Sequence, residues 1–157
     1  MIDARYLQRR ISQKFLYAKQ LLALGESEAV REAVSSHLHI AYKAWLIEIC
    51  HDRHHPLGVE GDSAVDIAKL TDVHVPAVLA ECVQLEQNPE SWLSVLLSSA
   101  EAANDIVNKP PARALPGQIA LNTVATGPRL ATVDELITAV TAFQQFLDRY
   151  RESMQEF

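Results

Sequence analysis

Apolar residues along this chain recur mostly at intervals of three and four, the angular repeat of helices laid against a common core. Residues 3 to 24 carry Leu7, Ile11, Phe15, Ala18, Leu21 and Leu22 on one face and Arg5, Arg9, Gln13 and Gln20 on the others. Gly25 supplies the left-handed residue that ends this first helix. Ser27 caps a second, running to about Cys50, with Glu28 and Glu32 near its positive end. That second helix is apolar over most of its circumference: Val34, Leu38, Ala41, Trp45, Leu46, Ile49 and Cys50 leave only a narrow polar strip of Glu32, Ser36, His39 and Lys43. Such an element belongs at the centre of the molecule.

Pro56, Gly58 and Gly61 interrupt the pattern between His51 and Asp62. Asp62 or Ser63 then caps a short helix through Leu70, and Pro76 sits at the first position of another through about Glu86, where its missing N–H is harmless. Asn88-Pro89-Glu90 repeats that logic, as cap, first helical residue and acidic first turn, for a helix that turns Trp92, Leu93, Leu96, Leu97, Ala100 and Ala103 inward. From about 109 to 131 the chain holds Pro110, Pro111, Pro116, Gly117, Gly127 and Pro128, a long irregular connection with residues 118–125 patterned as a short strand. Thr132 followed by Glu135 is a capping box for a last amphipathic helix through Leu136, Val140, Phe143, Phe146, Leu147 and Tyr150. The expected fold is all-α: one domain over residues 1–157, an antiparallel bundle of five to six helices with one long Pro/Gly-containing loop.

Composition changes this picture little. A chain of 157 residues with 48% hydrophobic and 22% charged residues can close a core without staples. Cys50 and Cys82 are too few and too far apart for a disulfide framework or a metal knuckle, and read as free buried thiols in a reducing, cytoplasmic compartment. The start lacks a secretory core, and no apolar run approaches the roughly 18 residues of a membrane span. A net charge of −6 repels phosphate on average and argues against nucleic acid. The charge is uneven: residues 1 to 24 carry +4 and residues 133 to 157 carry −3, as expected if the two terminal helices pack side by side.

Candidate chemistry concentrates near the end of the second helix. All six histidines lie between His37 and His74, and Glu48 and His51 share a helical face, like half of a di-iron site in a bundle. The chain has no second Glu-x-x-His to complete one. His51, His55 and His74 have the ligand types for zinc, but the glutamate of a His-Glu-x-x-His protease is missing. Polar residues closing a helix C-terminus account for the same cluster, so Glu48, His51, His55 and His74 stand only as weak metal candidates, and no cofactor is assigned. Arg31 and His37 have the Arg-x5-His spacing of HEPN-type helical ribonucleases, yet residues six apart lie about 240° apart on a regular helix and cannot share one cleft. Arg5, Arg9, Arg10, Lys14 and Lys19 line a basic strip with too few aromatics, Tyr6 and Tyr17, for base stacking; a solvated face explains it better. Trp45 and Trp92 fall on apolar faces and read as core anchors, the alternative being a dimer-interface hot spot.

Two segments resemble a known family: Gln87-Asn88-Pro89-Glu90-Ser91-Trp92-Leu93 with Leu96-Leu97, and Arg149-Tyr150-Arg151-Glu152-Ser153-Met154-Gln155-Glu156-Phe157. Both are similar to a small gammaproteobacterial family, common in pseudomonads, catalogued as a domain of unknown function, and the region from Arg31 to Leu38 follows suit. The resemblance implies no reaction, ligand or catalytic residue. The reading of the residues is therefore a non-enzymatic cytoplasmic bundle acting through protein contacts, as a homodimer or with a protein partner. Its rivals are a metal-dependent or ribonuclease-like enzyme at the His-rich corner near residues 48–55, and a nucleic-acid binder using the basic first helix.

Overall fold

A computed structural model describes residues 3–52, 63–69, 75–105 and 127–155, leaving out the side chains of residues 51, 52 and 155. Six helices appear among them: α1 (Ala4–Leu22), α2 (Glu28–Asp52), α3 (Ala64–Lys69), α4 (Ala77–Gln87), α5 (Trp92–Asn104) and α6 (Val133–Gln155), with no strand among the described residues. The fold is an all-α bundle. The short strand expected at residues 118–125 lies outside the described residues. No helix of the described chain is long and apolar enough to cross a membrane.

Side-chain pairs give the helix directions. Gln8 meets Glu48 and Lys14 meets His37, so α1 and α2 run antiparallel. Lys19 meets Gln144 at one end of the α1–α6 seam, and Ser12 lies with Arg151 along the same groove, so that pair is antiparallel as well. The two charge-biased terminal helices do pack together. Trp92 stacks near Phe143 while Ser99 reaches Ala131, which runs α5 antiparallel to α6.

At the centre stands α2, in contact with α1, α4, α5 and α6. Its buried face includes Val34, Leu38, Tyr42, Trp45 and Ile49, as its apolar circumference requires. Phe143 of α6 closes the aromatic core, with ring centroids 4.9 Å from Phe15, 5.7 Å from Trp45 and 5.5 Å from Trp92. One ring thus ties four helices together.

Helix ends follow local chemistry, with two shifts. Ser27 Oγ accepts from Val30 N–H, Ser63 Oγ accepts from Asp66 N–H, and Gly25 has φ of +150° in the turn after α1. Pro76 is the N-cap of α4 rather than its first helical residue. The larger shift is in α5, which starts three residues after the expected Pro89. Asn88 Oδ1 accepts from Glu90 N–H and Asn88 C=O accepts from Ser91 N–H, which makes residues 88–91 a turn, and Ser91 Oγ caps the helix through Ser94 N–H. Asn88 and Ser91 both have capping side chains, and Ser91 Oγ is further anchored on Leu85 C=O.

The capping box ahead of α6 is present: Glu135 N–H donates to Thr132 Oγ1 at 3.2 Å and Thr132 N–H to Glu135 Oε1 at 3.0 Å. Arg129 adds a two-pronged contact to the same carboxylate, at 2.9 and 2.8 Å. The Arg129 hydrogen bonds, followed by the Thr132 N–H, hold Glu135 down to a pKa of about 2. A carboxyl depressed on folding contributes stability that is full above the ordinary carboxylate range and fades as pH falls toward 2. Because the pair faces solvent, that contribution is below about 1 kcal/mol. In Glu135→Gln the loss of stability between pH 5 and 2, followed by urea midpoints, should become shallower; an unchanged acid limb would show that Arg129 adds nothing.

Candidate functional site

Glu48 is the one weak metal candidate whose side chain is described. Its position on the α1-facing side of α2 buries it to 1% exposure. Gln8 Nε2 donates to Oε1 at 2.9 Å, and the Arg151 guanidinium of α6 stands 3.9 Å from Oε2. The guanidinium places a positive charge beside the buried carboxylate. Glu48 thus joins α1, α2 and α6 at one end of the bundle. The side chain of His51, and His55 and His74 entirely, lie outside the described residues. No cluster of three or more metal-capable side chains occurs among the described residues.

Arg31 and His37 diverge as their spacing requires. Arg31 Nη1 donates to Ala131 C=O at 3.3 Å, whereas His37 turns to α1, where its Nδ1 is 3.3 Å from Lys14 Nζ and its ring 5.4 Å from Tyr17. No common cleft holds them.

Lys14 departs from expectation. It is not part of a solvated basic strip but is 7% exposed, packed on the Leu7, Ile11 and Ala18 face of α1. Burial, then repulsion from Arg10, lowers the Lys14 pKa, and burial, then the charges of Lys14 and Arg10, lowers that of His37. An ammonium has only protons to give, so in the Lys14–His37 contact Nδ1 is the accepting nitrogen. With Nδ1 accepting from the ammonium, the imidazole proton sits on Nε2.

Two further polar groups are buried between helices. Tyr42 donates to Glu86 Oε2 at 2.5 Å, and the same oxygen accepts from Ala64 N–H at 2.6 Å, so one carboxylate fastens α2 to α4 and caps α3. Cys82 lies beside this pair, its thiol pushed up chiefly by burial, and Cys50 is likewise free and buried with a raised pKa. Ser35 and Ser99, both fully buried, meet at 2.6 Å between α2 and α5. Each of these sets is committed to interhelical bonding, and none of the clefts described opens onto it.

The surface has a different character. Of the five large apolar side chains exposed among the described residues, Tyr6 and Leu16 lie on α1, Leu24 in the turn that follows it, and Ile137 on α6; Ile40 is on α2. Between α1 and α6 runs an open groove of about 170 Å³, floored by Phe15 and Leu147 and edged by Leu16, Lys19, Gln144 and Asp148.

Sequence reasoning found the ingredients of this face, an amphipathic basic helix and an acidic one, but not its exposed apolar residues. Leu16 sits between two polar neighbours in the helical wheel, and Leu24 lies past the helix end, so neither belongs to an apolar stripe.

No curated protein and no solved structure matches the chain. A family model does, over residues 7–157, nearly the whole chain and including both segments that carried the resemblance. The chain belongs to DUF6586, a family of unknown function.

Proposed function

We propose that this chain works by protein–protein contact, as a homodimer, rather than by catalysis. One observation carries the reading: of the five large apolar side chains exposed among the described residues, four, Tyr6, Leu16, Leu24 and Ile137, belong to α1, its following turn and α6. The polar side chains with catalytic potential support it from the other side, since Lys14, His37, Tyr42, Glu48 and Glu86 each bridge helices. The reading includes a cytoplasmic setting in a gammaproteobacterium, supported by the two free thiols and by the residue likeness from Gln87 to Leu97 and over the last nine residues.

Sedimentation equilibrium from low to high micromolar protein should show a monomer–dimer transition. A monomer at every concentration, with no protein recovered on the immobilised chain from lysate, would remove this function.

A further inference from the structure

We infer that the second copy docks on the α1–α6 face with its two-fold axis parallel to those helices, so that each basic α1 lies against the acidic α6 of the other. This rests on the homodimer reading above and adds the surface and the symmetry. The two helices present matched rows. On α1, Arg5, Arg9, Ser12, Leu16 and Lys19 recur at four, three, four and three residues and are exposed. On α6, Ile137, Thr141, Gln144, Asp148 and Glu152 recur at four, three, four and four, all exposed except the half-exposed Gln144. Residues so spaced share one side of a helix.

Charge decides how two such faces meet. The α1 row holds three basic residues and no acidic one, and the α6 row two acidic residues, while Arg151 of α6, at the edge of the groove, is turned to the buried Glu48. A two-fold axis lying in the interface and across the helices would stack α1 on α1 and α6 on α6, like on like. An axis along the helices exchanges left and right instead, placing α1 of one copy over α6 of the other. Opposite rows then face each other twice, as an isologous interface requires.

The register is also favourable. A residue of the second copy's α1 lies at the height it occupies in the first, and Lys19 beside Gln144 sets that height. Arg9 and Lys19 of one copy accordingly flank Asp148 and Glu152 of the other. Leu16, 53% exposed, enters the groove floored by Phe15 and Leu147, while Leu24 approaches Ile137. The face is about 28 Å long, from the rise of α1, and about 20 Å wide for two packed helices. That footprint is near the lower limit for specific interfaces and points to a dissociation constant in the micromolar range.

The test uses the full chain in sedimentation equilibrium, with circular dichroism to confirm that each variant is folded. Arg9→Glu and Glu152→Lys should each weaken association on the order of tenfold by setting like charges opposite each other. The variant with both changes should return to near the wild-type constant, because the pair is re-formed with its signs exchanged. Leu16→Asp should leave monomer only. Wild-type dimer that neither charge change weakens would overturn this face while leaving the homodimer reading intact. Weakening by the single changes without recovery in the double would overturn the axis. Wild-type monomer throughout would remove the dimer itself.

Discussion

Phe143→Ala should lower the unfolding free energy by about 3–5 kcal/mol. Phe143 is fully buried on α6, and its ring touches Phe15 of α1, Tyr42 of α2 and Trp92 of α5, besides Trp45. Edge-on geometry at 75° to Phe15 and 77° to Tyr42 adds the quadrupole contribution of aromatic pairs to the apolar area removed from water. The hole left by truncation is bounded by rigid rings from three other helices, so it cannot easily collapse. With total stability on the order of 5–15 kcal/mol for a domain, such a variant would be near unfolding. Urea denaturation read by tryptophan fluorescence and by far-ultraviolet dichroism should show coincident, shifted midpoints. Phe143→Leu, which keeps most of the volume, should lose less than half as much. A loss below about 1 kcal/mol for the alanine variant would mean that the four helices are not held through this ring.

Much of the bundle was legible because its signals are local. Thr132 and Glu135 are three residues apart, and the capping box they predict needs nothing from the rest of the chain. The start of α5 was less legible because Asn88 and Ser91 both offer capping oxygens within one turn. The contact that separates them, Ser91 Oγ on Leu85 C=O, requires the preceding helix already to be in place. Lys14 shows a different limit. Its spacing from Leu7, Ile11 and Ala18 places it on the buried stripe, but a lysine is ordinarily assigned to solvent, and its burial rests on two contacts, His37 Nδ1 at 3.3 Å across the seam and the Tyr17 ring at 5.6 Å. At the candidate site the sequence singled out Glu48 as one of four weak metal candidates, with no metal assigned. Its contacts, Gln8 and Arg151, lie 40 and 103 residues away, a separation at which no periodicity carries information.

Ser99→Ala tests the least legible feature of all, because Ser35 and Ser99 look like ordinary polar positions on their helices. Three oxygens and one backbone N–H form a chain whose polarity is set by proton count. Ser35 Oγ donates to Arg31 C=O at 2.7 Å and has only one proton, so at the 2.6 Å contact Ser99 must donate to Ser35. Ser99 Oγ can then accept from Ala131 N–H at 2.8 Å, which anchors the chain immediately before α6. Removing the Ser99 hydroxyl leaves the buried Ala131 N–H without an acceptor, at a cost of about 1–3 kcal/mol. Ser35→Ala should cost less, since Ala131 N–H keeps Ser99, the Arg31 carbonyl keeps its place in the helix, and the one group that loses its acceptor, the Ser99 O–H, can rotate whereas a backbone N–H cannot. The double variant should lose less than the sum of the two, by about 0.5–2 kcal/mol, as coupled neighbours do. Hydrogen exchange at Ala131 gives a local readout: its protection should fall in Ser99→Ala by more than the global loss of stability accounts for. If Ala131 exchanges no faster than global unfolding dictates, and Ser99→Ala loses under about 0.5 kcal/mol, the serine bridge does not hold the entry to α6, and the Arg31 bond to Ala131 C=O, the Arg129 N–H bond to Ser98 Oγ and the packing of Leu136 and Phe143 position that helix without it.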